Sequence, residues 1–426
     1  MFFNQFNSMA NLQTSLNKED GVGVNSLTSI YIAKIASSMF FTDFIVSRLG
    51  CKWAIAAGMA GYTLYMAANF YAVNYTMIPA GVILGLASAP LFSAQSTYLT
   101  QLGIWYAKIT QQKQNGVINS FFGIFFTCLQ STDIWGNLVS SLVFAPTHTN
   151  TSSSTTQCGA AFCPDTSGNS SSNFQQETEK VYTVCGIYLS CAVSGVVIIS
   201  VFLDDMLLDK SPTEEQRHLS PRLLISTFKH LFTSPIQMLL VPITMYRGVE
   251  AAFMAGDFTK SFVSCSLGIW NLGYVMICYG VVNALSSFTS GRLVKYVGQL
   301  PFFVIAFAFH IGLQIFLLQW KPSSDEVAYF YISAALWGVG NAIFQTQSNA
   351  LYGCLFTDSL GPAFANHRLW ESIGYAMAYA YSDLLCTYVK LYLCVCLLSL
   401  SILGYLTVEF MLRMRTKSKH VNEVIA

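Results

Sequence analysis

Charge is what this sequence has least of. Asp, Glu, Lys and Arg make up 10% of its 426 residues, against about 25% in soluble domains. So few ionised groups cannot cover a water-bathed surface of this size, which excludes a soluble enzyme, a nucleic-acid binder and a disordered regulator. The two signs nearly cancel, 22 Lys+Arg against 21 Asp+Glu, so no net field draws a polyanionic partner. Residues 2–16 carry no basic region followed by a long apolar run, so they do not read as a signal peptide. A glycine-rich phosphate loop with its lysine, a nucleophile elbow and a His-Glu metal motif are also missing. No catalytic set, metal site or cofactor is expected. What is present is apolar: 53% hydrophobic and 14% aromatic residues, with a mean hydropathy of +0.48. The main solvent of such a chain is lipid.

A bilayer crossing needs about 20 mostly apolar residues in a helix. Eleven runs qualify: 26–46, 53–73, 77–103, 116–144, 181–203, 236–258, 267–290, 300–319, 327–350, 362–387 and 389–412. Membrane strands would alternate apolar and polar residues, and runs such as Val193–Val201 and Phe302–Phe309 do not. With the first span entering from outside, fifteen of the 22 basic residues fall on inside segments, among them Arg48, Lys52, Lys108, Lys113, Arg292, Lys295, Arg368 and Arg413. Five (Lys18, Lys180, Lys260, Lys321 and Lys390) fall outside, and Lys34 and Arg247 lie within spans. This asymmetry puts the C-terminal tail, with Arg413, Arg415, Lys417 and Lys419, in the cytosol. The outside segment 145–180 is rich in Ser, Thr and Asn and carries the glycosylation sequons at Asn150 and Asn169; a third, at Asn74, sits in a short outside turn. Of the 12 cysteines only Cys158 and Cys163 lie well out in this oxidising loop, and a local disulfide between them is expected. The other ten, Cys394 and Cys396 included, read as small apolar residues.

The chain repeats itself. Arg48, in Ser47-Arg-Leu-Gly-Cys-Lys52, has a counterpart 244 residues later in Gly291-Arg-Leu-Val-Lys-Tyr-Val-Gly298. The third span's Gly85-Leu-Ala-Ser-Ala-Pro and Ala94-Gln-Ser-Thr-Tyr-Leu99 match the ninth span's Gly338-Val-Gly-Asn-Ala and Thr346-Gln-Ser-Asn-Ala-Leu351, at offsets of 253 and 252. Two parallel halves joined by a cytosolic linker form the layout of the major facilitator fold. The expected halves are 1–203 and 236–412, with the linker at 204–235 and a basic tail at 413–426. The fold class is thus an all-α polytopic membrane protein, a two-half helical bundle. The repeat calls for twelve spans; residues 2–16 hold a broken remnant of the first, leaving eleven.

Polar residues at membrane depth are functional candidates because burying them in lipid is costly. Helical spacing aligns Gln130, Asp133 and Asn137 in the fourth span, Asn341, Gln345, Ser348 and Tyr352 in the ninth, and Ser88 with Gln95 in the third. They read either as a polar cavity between the third and ninth spans or as hydrogen-bonding glue between helices. Asp133, a lone mid-span carboxylate, is a candidate proton site. Arg247 with Glu250, and Arg368 with Glu371 at the cytosolic start of the tenth span, are spaced to pair as structural clamps. Lys34, about eight residues from the outer end of its span, snorkels poorly. The cytosolic turn matches the facilitator signature in which an acid precedes Arg-x-Gly and latches the Arg. Here Ser47 takes the acid's place, leaving Asp43 as its substitute beside Arg48 and Lys52.

Further stretches carry a family resemblance: Leu12-Gln-Thr-Ser-Leu16, Pro90-Leu-Phe-Ser-Ala-Gln-Ser-Thr-Tyr-Leu99, Trp135-Gly-Asn-Leu-Val-Ser-Ser-Leu-Val-Phe144, Gln345-Thr-Gln-Ser-Asn-Ala-Leu-Tyr-Gly353 and Ala363-Phe-Ala-Asn-His-Arg-Leu-Trp-Glu371. Through them the chain resembles the Unc-93 family of the major facilitator superfamily, over almost all of its length after residue 10. The family pattern is more neutral than this chain at Arg247 and Glu250. The resemblance implies an accessory protein that regulates a potassium channel, or escorts another membrane protein; the plasma membrane is its expected place, with an endosomal or ER membrane as the alternative. The rival expectation is a facilitator-type carrier of a small organic molecule, and a third is a non-functional truncated copy.

Overall fold

In lipid a backbone must satisfy its own N–H and C=O groups, and a helix does so within one segment. The computed structural model describes residues 22–143, 158–163, 178–204, 226–382 and 384–425, and among these there are helices and no strand. Eleven long helices lie among these residues, in the order of the expected spans, although the run 26–46 extends over the first two of them. The N-terminal group is α1 (Val22–Phe40), α2 (Thr42–Ala68), α3 (Asn74–Thr110), α4 (Gln114–Val143) and α5 (Thr178–Phe202). A short helix α6 (Ser226–Thr233) leads into the C-terminal group. That group is α7 (Pro235–Ala252), α8 (Ile269–Val297), α9 (Leu300–Gln319), α10 (Val327–Leu355), α11 (Leu360–Ser382) and α12 (Thr387–Ile425). Helix α7 widens into a π-helix, Phe253–Ser264, before a last turn at Cys265–Leu267.

The expected count of eleven spans is not reached on apolarity. Among the described residues seven helices are long and apolar enough to cross a membrane, or up to eight if the pair Asn25–Phe40 and Phe44–Tyr71, bent by 116°, counts as one. Helices α4 and α11 fall outside that set; both turn polar and charged side chains inward. Residues 2–16, the sequons at Asn150 and Asn169 and most of the linker lie outside the described residues.

The two turns that the repeat pairs are built alike. Gly50, at φ 73° and ψ 170°, breaks the helix inside α2, and Gly298, at φ 82° and ψ 178°, ends α8. A side chain at such positive φ clashes with the backbone, so glycine stands at both. The halves meet along two seams, α4 against α8 and α1 against α11. The repeat offset carries α1 onto α8 and α4 onto α11, so exchanging the halves exchanges the seams. At α4–α8 the backbones touch: a Cβ on Gly123 would lie 2.7 Å from the Cα of Gly291. Small residues at such a crossing are the usual means of close helix packing in lipid.

A correction concerns the outer loop. Cys158 does not pair with Cys163: Cys158 bonds Cys265 and Cys163 bonds Cys386, with Cα–Cα distances of 5.7 and 4.1 Å. The physical reason is where the loop sits. Gly159 and Ala160 of its Gly159–Ala161 turn are buried on the C-terminal half. Thr387 N–H donates to Phe162 O at 2.9 Å, and Gly159, at φ 85°, lies against Trp320 and Pro322. The cysteines at the two ends of this turn therefore face different elements of the other half. Cys265 and Cys386, read from sequence as apolar fillers, are covalent anchors instead. Cys394 is a free, buried thiol, whereas Cys396 is free and exposed.

Candidate functional site

A cavity of about 140 Å³ lies at the centre, lined from both halves. Helix α1 contributes Tyr31 and Lys34, α3 Ser88, Phe92 and Gln95, and α4 Gln130, Asp133 and Asn137. From the C-terminal half come Arg247 of α7, Tyr279 of α8, Asn341 and Gln345 of α10, and Arg368, Glu371, Tyr375 and Tyr379 of α11. Helical spacing had therefore marked seven of the lining residues: Ser88, Gln95, Gln130, Asp133, Asn137, Asn341 and Gln345. Ser348 is buried but does not line the cavity; its hydroxyl turns back to Gln345 O at 3.5 Å. Asp133 is buried on the cavity wall, and its carbonyl accepts from Asn137 Nδ2 at 2.8 Å.

Two arginine–glutamate pairs organise the walls. Arg247 Nη1 reaches Glu250 Oε1 at 2.9 Å and Arg368 Nη1 reaches Glu371 Oε2 at 2.8 Å, all four side chains buried. Each arginine then extends its other amine to an amide oxygen on α10. Arg247 Nη2 donates to Gln345 Oε1 at 2.6 Å, and the same oxygen accepts from Gln130 Nε2 of the N-terminal half at 2.6 Å. Arg368 Nη2 donates to Asn349 Oδ1 at 2.7 Å, and Ser96 of the N-terminal half donates there at 3.4 Å. Gln345 and Asn349 are four apart, hence on one face. One stripe of α10 thus joins α7 and α11 to α3 and α4. Ser96 and Asn349 also lie 253 residues apart, the offset of the repeat.

Behind this layer the C-terminal half holds a second polar core. Trp337 Nε1 donates to Glu250 Oε2 at 2.8 Å. His310 contacts Tyr246 OH through Nδ1 at 2.7 Å and Trp337 O through Nε2 at 3.1 Å, and Gln314 Nε2 donates to Tyr246 OH at 2.9 Å. Towards the outer end, Lys390 Nζ pairs with Asp257 Oδ1 of the π-helix at 2.5 Å. Lys390, counted from sequence as an outside loop residue, is therefore buried in an ion pair. Arg368, placed from sequence at a cytosolic helix start, is a central residue of the cavity.

Sequence spacing missed the aromatic wall. Lys34 Nζ lies 5.3 Å from the Phe92 ring centre and 6.0 Å from those of Tyr31 and Tyr375. Tyr31 stacks on Tyr375 and Tyr379 across the α1–α11 seam, at 5.1 and 5.4 Å. These rings come from three helices, so no local spacing displays them. The only available signal was a lysine buried too deep to snorkel.

The other expected sites stand apart from the cavity. Arg48 is exposed, the side chain of Asp43 lies outside the described residues, and Lys52 packs its ammonium 5.6 Å over the Trp53 ring. No ion pair of Arg48 is present among the described residues. Asn74 is half-buried in the first turn of α3, where its Oδ1 accepts from Asn25 Nδ2 at 3.3 Å. No group of three or more His, Cys, Asp or Glu able to hold a metal ion occurs among the described residues.

Comparison with known proteins agrees with this architecture. The family described as "Ion channel regulatory protein UNC-93" matches residues 14–408. Protein unc-93 homolog A of Xenopus laevis is 43% identical over 419 residues, covering 96% of this chain and 91% of its own length. The Caenorhabditis elegans protein unc-93, named as a candidate potassium channel regulatory protein, is 33% identical over 417 residues, 96% of this chain and 59% of its own. In fold the chain resembles the human organic anion transporter MFSD10, with a TM-score of 0.62 at 10% identity over 91% of this chain and 83% of that one. The chain belongs to the Unc-93 family and has the facilitator fold.

Proposed function

We propose that this Unc-93 family member is a non-enzymatic accessory protein that binds another membrane protein and tunes its activity or delivery. The partner we assign is a potassium channel, the target named for the Caenorhabditis elegans relative. The observation that carries this reading is the family match along nearly the whole chain, from residue 14 to residue 408. The cytosolic turn supports it. Ser47 stands where the facilitator signature has an acid, and Arg48 is exposed, so the latch that serves a transport cycle is weakened.

We place the protein in the plasma membrane with its C-terminal tail in the cytosol, and glycans on Asn150 and Asn169. Cys158, Cys163 and Cys265 fall in expected outside segments and Cys386 at the outer end of the tenth expected span, so both disulfides support this orientation. We take the functional halves as 1–203 and 236–412. A candidate channel's current and surface density, recorded with and without the full chain, test the reading. It expects one of the two to change; identical currents at identical surface levels reject it. One observation favours the solute-carrier alternative, a central cavity lined from both halves.

A further inference from the structure

The central cavity presents more hydrogen-bonding capacity than its own walls use. Lys34 is 7% exposed and lines the cavity, yet its ammonium makes no ion pair among the described residues. Among the described residues Arg247 Nε and Arg368 Nε have no hydrogen-bond partner, and neither do the oxygens of Gln95 and Asn341. The glutamates beside the two arginines are already engaged at 2.9 and 2.8 Å. Asp133 and Glu371 also line the cavity, so the wall carries both signs, but the donor groups left over sit on cations.

The rings around Lys34 explain how an ammonium persists there. Aromatic faces at 5–6 Å stabilise a cation through the ring quadrupole without taking its N–H bonds in a directed way. The charge is held while its donors stay available to an anion. Charge-assisted N–H···O bonds to a carboxylate are the strongest use such donors find in a water-poor site.

Size narrows the class. The cavity's 140 Å³ is close to the roughly 150 Å³ of an apolar cavity that holds benzene. It falls below the about 300–1,000 Å³ of pockets for drug-sized ligands, which disfavours nucleosides, sterols and lipid chains. Flat rings on the wall suit a flat or short apolar body. We propose that this cavity binds a small monocarboxylate of about benzoate size, its carboxylate on the Lys34 ammonium and its body against Tyr31, Phe92 and Tyr375. The proposal goes beyond the partner reading and does not depend on it.

The test is calorimetric titration of the purified full-length chain with benzoate, and with benzamide as the uncharged isostere. Saturable binding of benzoate at one site per chain is expected, with benzamide weaker by roughly tenfold or more. Lys34→Gln should weaken benzoate by a similar factor and leave benzamide unchanged. No saturable benzoate binding, equal affinity for the two probes, or full benzoate affinity in a folded Lys34→Gln chain would overturn the proposal. If Lys34→Gln does not fold, the benzoate-to-benzamide ratio of the unaltered chain decides alone. Channel currents are recorded without either probe, so failure here is distinct from failure of the regulatory reading.

Discussion

Among the described residues the N-terminal half buries two charged side chains, Lys34 and Asp133, whereas the C-terminal half buries Arg247, Glu250, Asp257, Arg368, Glu371 and Lys390. The six in the C-terminal half close on one another as three ion pairs. Lys34 instead meets rings, across the seam between the halves. The difference is one of bracing. Arg247–Glu250 and Arg368–Glu371 each lie within one helix and neutralise charge there, whereas Lys390–Asp257 joins two elements; opening any of the three strands a charge in lipid. The N-terminal half relies on small-residue packing and hydroxyl bonds to its own backbone, such as Ser88 to Gly85 O at 3.0 Å. Besides the two seams, it meets the α10 stripe of the other half through single hydrogen bonds, Gln130 to Gln345 and Ser96 to Asn349.

The largest expected effect comes from opening one pair. Glu371→Ala leaves Arg368 buried without its carboxylate and should cost about 3–5 kcal/mol, read as thermal unfolding in detergent. Ser88→Ala in the N-terminal half removes a hydrogen bond within one helix and should cost no more than about 1 kcal/mol. Equal losses would erase the contrast between the halves. Next in size is the outer clamp. Cys265→Ala frees the loop at Cys158 and should cost roughly 2–5 kcal/mol, with a fall in melting temperature that a reducing agent reproduces in the unaltered chain. An unchanged melting temperature in both cases would mean the loop does not bind the halves together.

A smaller effect attaches to the junction. Gln345→Leu removes the acceptor shared by Gln130 and Arg247 and should cost about 1–3 kcal/mol. Combined with Gln130→Leu, the loss should be less than the sum, since the two side chains share one bond. Strict additivity in that double-mutant cycle would argue against the junction. The smallest effect lies at the short helix α6. Burial lowers the pKa of His230 below its ordinary value of 6.5, and the ring contacts Ser359 Oγ at 3.0 Å. A lowered histidine pKa means that the undocked helix binds protons more readily, so docking is secure above about pH 6.5 and weakens as pH falls below it. Hydrogen exchange in residues 226–233 should therefore quicken from about pH 7.5 to about pH 5.5, beyond the intrinsic pH effect. Exchange that tracks the intrinsic rate alone would remove His230 from this role.

Local patterns displayed a good deal of this molecule. Bilayer thickness fixes how long an apolar run must be, and the expected runs fall in the same order as the helices, but the run 26–46 straddles the break between α1 and α2, and α4 and α11 fall short on apolarity. Three-, four- and seven-residue spacing placed Gln130, Asp133 and Asn137 on the cavity because a helix turns its faces at that period. Relations between distant segments were not displayed. Cys158 and Cys265 are separated by 107 residues, and Cys163 and Cys386 by 223; no local rule links them. Lys34 stood out as an oddity, but its cage needs Phe92 and Tyr375 brought in from α3 and α11. Ser348 shared the right spacing, yet its helix face turns past the cavity to meet its own backbone.

The claim on which the two-body picture rests most directly is that the outer loop of one half is fastened to the other. Peptide mass mapping of the intact, non-reduced protein tests it. The account predicts Cys158 linked to Cys265 and Cys163 linked to Cys386. A link between Cys158 and Cys163, or free thiols at all four positions, would contradict it.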